Sequence, residues 1–144
     1  MKYFLIIIFT FFLNVSQSQT YFDKYQKLAD SLETIYGIPS SVMMAIAYHE
    51  SGGGKSYIAK HSNNHFGIKG KNRKHKSSYR YFESDTASYM GFCDLISKRF
   101  FYGKLKGEND PKKWVSHISK SGYAGNPSKW GSIIYGIISK KKLT

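Results

Sequence analysis

Glu50 is the residue whose type and setting point to chemistry. It follows Ile46 by four positions and Ala47 by three, so on a helix it shares a face with apolar side chains. It is also the last residue before Ser51-Gly52-Gly53-Gly54, a glycine-rich helix stop. Partial desolvation and the negative end of a helix dipole both oppose ionisation of a carboxylate placed there. A carboxylic acid that keeps its proton near neutral pH can protonate the leaving oxygen of a glycosidic bond. The glycines that follow let a bulky polymer lie close to the backbone. Spacing alone leaves a second reading equally open, a structural glutamate paired with one of the chain's many lysines.

Other constellations are incomplete. Gly54-Lys55-Ser56 ends like a phosphate loop, but His49 stands where the motif needs its first glycine. His49-Glu50 begins like a zinc-protease helix, yet the second histidine position is Gly53. His61 and His65 lie four apart among Ser62, Asn63 and Asn64, without a clear third ligand. They read as loop histidines, exposed or lining a groove. The single cysteine, Cys93, excludes an intramolecular disulfide framework and falls in the apolar row of an expected helix, as a buried thiol would. No metal or organic cofactor is implied.

The elements that must position Glu50 read as mostly helical. Phe22, Tyr25, Leu28, Leu32 and Ile35 recur at helical spacing from Tyr21 to Tyr36, with Gly37 as the stop. Pro39 opens a second helix at its first position and carries the chain to Glu50; with Val42, Met43, Ala45, Ile46 and Ala47 it has little polar face and should be buried nearly all round. A short helix around Ser56 to Lys60 and an irregular loop, HSNNHFGIKG, come next. The stretch Lys71 to Phe82, basic and then alternating through Tyr79 and Tyr81, suits a small hairpin. Ser84 or Asp85 caps a helix expected to run through Phe101, with Ala87, Met90, Cys93, Leu95 and Ile96 inward. Pro111 starts a helix through Trp114, Val115 and Ile118 that Gly122 stops, and the last runs from Pro127 through Trp130, Ile133, Ile134, Ile137 and Ile138.

The chain opens with Met1-Lys2, an apolar run from Tyr3 to Leu13, and a polar exit containing Ser16 and Ser18. That pattern predicts a secretory signal peptide over residues 1–19, because the run is shorter than the roughly 20 residues a membrane span needs. Residues 20–144 then form one domain with its own core, secreted or held in the cell envelope as a monomer without stable membrane insertion. The formal charge of +13 favours anionic partners, and export argues against nucleic acid. The basic cluster Lys69 to Lys76 is either a solvated face or a device that steers substrate.

The segment YGIPSSVMMAIAYHESGGGKSYIAKHSNNHFGIKG resembles the catalytic core of the bacterial glucosaminidase family of peptidoglycan hydrolases, which includes autolysins and a flagellar muralytic domain. Gly37, Pro39, Ser41, Ala45, Glu50, Ser51, Gly52, Gly54, Ser56, Asn63, Asn64, Phe66, Gly67, Ile68 and Lys69 all match the family pattern. YRYFESDTASYMGFCDLI and SGYAGNPSKW resemble two later family segments, in the family's order. The resemblance implies a mainly α, lysozyme-like α+β globule with a small β-hairpin lobe. It further implies that Glu50 is the general acid and that Tyr123 lines the catalytic centre, orienting the sugar's N-acetyl group or a water. Ser51, Asn64, Phe66, Gly67 and Tyr81 would line the glycan groove.

The sequence departs from the family twice. Gly53 stands where the family often has an aromatic, and no acidic residue lies between Lys69 and Tyr81, where members usually carry a second glutamate. A two-carboxylate glycosidase needs a nucleophile or base opposite its acid. Glu83 could be that base, although its place before a helix equally suits a charge that favours the dipole. Otherwise the substrate's own N-acetyl oxygen serves as nucleophile, the route favoured here. The resulting expectation is an endo-β-N-acetylglucosaminidase acting on peptidoglycan glycan strands. The rivals are a muramidase or lytic transglycosylase on the same fold, a catalytically weak wall-binding module, and a cationic membrane-active protein; the last is disfavoured because the basic residues do not share one helix face.

Overall fold

The helix Ser40–Glu50 (α2) is the axis of the structure. Ser40 to Ala47 are buried without a break, and no charged side chain occurs before His49 and Glu50. Small and apolar residues on every side let other helices approach it all round. The computed structural model describes the backbone of residues 2–143 and the side chains of residues 19–143. Helix Lys2–Tyr36 (α1) packs along α2, and α2 is also met by Pro111–Ile118 (α6) and Pro127–Lys141 (α7). Between them come Tyr57–Ser62 (α3), Asp85–Ser97 (α4) and Tyr102–Leu105 (α5). A π-helical turn, Ser119–Tyr123, joins the end of α6 to the approach to α7.

Local sequence accounts for most boundaries. Gly37 takes a φ of 65° just after α1, and its neighbour Pro39 stands as the residue before α2 rather than within its first turn. Side chains cap the later helices: Ser56 accepts from Ala59 N at 3.2 Å, Ser84 from Ala87 N at 3.0 Å, Asp110 from Lys112 N at 2.8 Å and Asn126 from Lys129 N at 3.1 Å. Pro111 and Pro127 then occupy the first turns of α6 and α7, where a missing N–H costs nothing.

The expected helix from Asp85 to Phe101 stops at Ser97. Continued as a helix, the row Tyr89, Cys93 and Ile96 would carry Phe100 inward. The turn instead buries Phe101 and leaves Phe100 91 % exposed. Tyr102, just beyond, donates to the Tyr36 carbonyl at 2.7 Å and docks this turn on the end of α1. Ile35 and Met90, read as inward from their spacing, are exposed, whereas Cys93 is buried with its thiol on Met43 Sδ at 3.4 Å. Burial pushes that thiol up to about 12.

The expected β-hairpin lobe is not seen as strands. Among the described residues no named strand forms, and residues 69–82 carry one antiparallel bridge, Lys69 with Tyr79. Asparagine amides occupy the places a ladder would use. Asn64 Nδ2 donates to the carbonyls of Ile68 (2.9 Å) and Arg80 (2.8 Å) while its Oδ1 accepts from Ile68 N at 3.0 Å. Asn72 accepts from Lys74 N and His75 N and donates to Tyr79 O, and Asn63 donates to Phe82 O. The alternation that predicts strands is present, but only Gly70 N to Ser78 O (2.9 Å) and Arg80 N to Ile68 O (2.8 Å) pair across it among the described residues, and side chains satisfy much of the rest.

The side chains of residues 1–18, nearly all of the expected signal peptide at 1–19, lie outside the described residues. Among the described residues no helix is long and apolar enough to cross a membrane.

Candidate active site

Glu50 ends α2 where two shallow clefts meet, of about 320 and about 250 Å³. One arm runs past His49, Ala124, Asn126, Lys129, Trp130 and Ile133; the other runs over Phe66 to Lys69 and past Leu95, Arg99 and Gly122. Glu50 and Tyr123 belong to both. The Trp130 indole N–H donates to Glu50 Oε1 at 2.7 Å. Glu50 Oε2 has no hydrogen-bond partner among the described residues. It lies beside Gly67, whose φ is +63° and where an added Cβ would stand 3.4 Å from that oxygen. Glycine there keeps the chain in a left-handed conformation and the carboxylate uncovered.

Tyr123 closes the junction from the π-helical turn. Its hydroxyl donates to the Phe66 carbonyl at 2.7 Å, and its ring meets Phe92 edge-on and Trp130 at a tilt. Burial first, and then the charge of Glu50, push the phenol well above its ordinary range, so it remains a hydrogen-bond donor. Positive φ at Gly122 (85°) lets the turn swing Tyr123 back over α2.

The structure brings Glu50, Tyr123, Phe66 and Gly67 together and separates the other expected site residues. Phe66 contributes its carbonyl; its ring is 1 % exposed and stacked on Phe92 at 4.3 Å, so it is core rather than groove lining. Ser51 is fully buried, with Oγ accepting from Gly54 N at 2.8 Å, and holds the turn after α2. Asn64, also fully buried, is the staple of the loop described above. Tyr81 lies away from both arms, where its hydroxyl accepts from Lys74 Nζ at 2.8 Å. Glu83, with an 80 % exposed side chain, pairs with Lys74 at 3.7 Å and lines neither arm.

The principal residue that sequence reasoning placed in the core alone is Trp130. Its helical spacing marks an inward position, and the structure agrees, at 8 % exposure. That its N–H reaches a carboxylate eighty residues earlier has no local signal. At Gly53, where an aromatic platform is absent, φ is +66° and a Cβ would meet the Tyr48 ring at 3.1 Å. A side chain there needs both backbone and Tyr48 to move.

A second polar cluster lies under α1. Asp85 takes three donors: Tyr25 OH at 2.6 Å, His65 Nε2 at 3.0 Å and Lys24 Nζ at 3.3 Å. Because a carboxylate only accepts, His65 Nε2 carries the hydrogen, and the neutral ring's Nδ1 accepts from Tyr21 OH at 2.9 Å. Tyr89 OH lies 3.3 Å from Tyr21 OH and completes the chain. Burial lowers His65 against the pull of Asp85. For Asp85, burial acts upward, but Tyr25, His65 and Lys24 together hold it below the usual carboxylate value. His61 is elsewhere, bonded to the Tyr57 carbonyl at 3.0 Å, so the two loop histidines share no ligand position.

Comparison with known proteins bears on this arrangement. Residues 17–143 match the Glucosaminidase family, described as mannosyl-glycoprotein endo-beta-N-acetylglucosaminidase. Comparison with curated protein sequences returned no match. Among solved structures the chain is similar to the catalytic domain of the autolysin Auto from Listeria monocytogenes, with 23 % identity and a TM-score of 0.74 over 89 % of this chain and 86 % of that one. It is similar to a peptidoglycan hydrolase from Sphingomonas sp. A1, with 25 % identity and a TM-score of 0.67 over 87 % and 92 % of the two chains. A C-terminally truncated glycoside hydrolase domain of FlgJ from Salmonella typhimurium gives 17 % identity and a TM-score of 0.70 over 88 % and 99 %. The helical body thus has the fold of these domains, as the lysozyme-like expectation required, and the family match over nearly the whole described chain shows that this protein belongs to the glucosaminidase family.

Proposed function

We propose that the protein is a peptidoglycan hydrolase, an endo-β-N-acetylglucosaminidase that cuts the β-1,4 link after N-acetylglucosamine with Glu50 as general acid. The observation that carries this reading is the Glu50 carboxyl group at the meeting point of two clefts, held through one oxygen by Trp130 and unpartnered at the other. A glycan strand laid along both arms puts a glycosidic oxygen within reach of the unheld oxygen. Glu50 gives its proton to that oxygen as the bond to the anomeric carbon breaks.

Among the described residues no other carboxylate lines either arm, which favours substrate assistance. The carbonyl oxygen of the N-acetyl group attacks the anomeric carbon, the leaving sugar takes the Glu50 proton, and water returned through Glu50 opens the ring so formed. Tyr123, its one proton held by the Phe66 carbonyl, orients the N–H of the N-acetyl group or that water through its hydroxyl oxygen as acceptor. Glu83 as water-activating base requires its side chain to leave Lys74 and enter the cleft.

Digestion of purified peptidoglycan with fragment analysis tests the reading. Reducing ends should be N-acetylglucosamine of retained configuration, and Glu50→Gln should lower release on the order of 10³-fold while the fold survives. Full activity in a folded Glu50→Gln protein overturns the assignment; muramic or anhydro-muramic ends convert it to a muramidase or a lytic transglycosylase. Action in the cell envelope after export follows from the substrate and from the leader pattern in residues 1–19.

A further inference from the structure

The two arms that meet at Glu50 differ in chemistry. The arm past Trp130 and Ile133 sets one cation, Lys129, beside His49, Asn126 and an aromatic wall. The other is floored by the backbone of Gly67 and Ile68 and walled by two cations, Lys69 and Arg99. Neither cation has a carboxylate partner among the described residues, whose ion pairs use Lys24, His65, Lys74 and Lys113 instead. The half-buried Arg99 is steadied by one long bond, Nη1 to the Ser121 carbonyl at 3.4 Å, which leaves other donors of its fork available. Lys69 Nζ stands 3.6 Å from the centre of the Tyr79 ring, poised on that face rather than paired. Past Lys69 the exposed residues Lys71, Arg73, Lys76 and Arg80 extend the same positive field. Glu50 is the arm's one acidic group.

Resting on the proposed reading of this cleft, we infer that the Lys69–Arg99 arm binds the free carboxylates of the short peptides that branch from peptidoglycan, so that the enzyme selects peptide-bearing over bare glycan. Glycan hydroxyls and N-acetyl groups are neutral, and on a peptide-bearing strand the lactyl carboxyl of muramic acid is an amide, so the anions within reach of these cations are those of the peptides. A peptide carboxylate matches the planar fork of arginine with two parallel hydrogen bonds. Two partly exposed ion pairs at a small fraction of a buried pair's strength give a preference of about tenfold, which salt should erode.

The experiment titrates the Glu50→Gln protein with three soluble tetrasaccharides in a calorimeter: one bearing stem peptides, one bearing the same peptides with their carboxyls amidated, and one without peptides whose lactyl carboxyls are amidated. The free-acid ligand should bind about tenfold tighter than the other two, with the gap closing at high salt. Lys69→Gln with Arg99→Gln should equalise all three, and Lys69→Gln alone, at an exposed side chain, should narrow the gap if the double variant does not fold. Equal affinities in the parent, amidated ligand binding as tightly as free acid, or a gap surviving both substitutions overturns the inference, and so does failure to bind any of the three. Wild-type digestion run in parallel separates the two claims. Cutting without discrimination keeps the hydrolase reading and removes this one, and discrimination without cutting does the reverse.

Discussion

Glu50 and Asp85 are both carboxylates set among aromatic rings, and their surroundings treat them differently. Asp85 receives Tyr25, His65 and Lys24, and behind His65 the hydroxyls of Tyr21 and Tyr89 complete a closed chain of hydrogen bonds. The tyrosine and histidine protons there are all committed. Glu50 has one protein donor, Trp130, and an open cleft on each side. Titrations in this cluster are shifted by burial and pairing, yet its acceptors are already taken, and a pocket lined by Tyr21, Lys24 and Tyr25 reaches its edge. Its role is to join α1 to α4 and to the Asn64–His65 loop that carries Gly67 past Glu50. Access and an unspent hydrogen-bond valence distinguish a group that can act on a substrate.

That contrast can be broken at its strongest point first. Glu50→Gln should lower hydrolysis on the order of 10³-fold with an unchanged melting temperature, measured by fragment release and circular dichroism. Trp130→Phe removes the indole N–H and keeps most of the ring; kcat should fall roughly 10- to 100-fold, because the carboxyl group loses its one anchor. Tyr123→Phe deletes the donor to the Phe66 carbonyl, and kcat should drop by about tenfold with a stability loss of about 1 kcal/mol by urea unfolding. A Tyr123→Phe enzyme with wild-type kcat would reduce that residue to a brace.

The closed cluster should answer in the opposite sense. Asp85→Asn or His65→Gln should cost roughly 1–3 kcal/mol of stability and leave kcat within about twofold of wild type at temperatures where the fold persists. A larger loss of kcat would tie the cluster directly to turnover. The smallest effect is on pH. His65 is held below its ordinary 6.5, so the unfolded chain binds more protons than the folded one as pH falls through that value. Stability from this group is therefore full above about 6.5 and lost toward its lower folded value. Asp85, lowered from 3.8, adds a second loss at still lower pH. Melting temperatures measured from about pH 8 to about pH 5 should decline in wild type and flatten in His65→Gln.

Residue types and spacing alone determined much of this protein. The apolar saturation of Val42 to Ala47 makes α2 a central helix wherever it packs, and Ser84, Pro111, Pro127 and Gly37 mark boundaries through backbone chemistry that acts within a few residues. Glu50 was legible too, since its place at the end of that helix before a run of glycines is local. Only tertiary structure decided what surrounds it. Trp130 reaches Glu50 across eighty residues, and Tyr123 comes over the same carboxylate through a π-helical turn that no periodicity announces. Phe66, Asn64 and Ser51 look alike as polar or aromatic loop residues, but packing sends their side chains inward and leaves the cleft only the carbonyl of Phe66. Hydrophobic period and caps are short-range signals carried by neighbours in the chain. The meeting of two clefts depends on how separate helices pack around α2, which no single stretch of residues encodes.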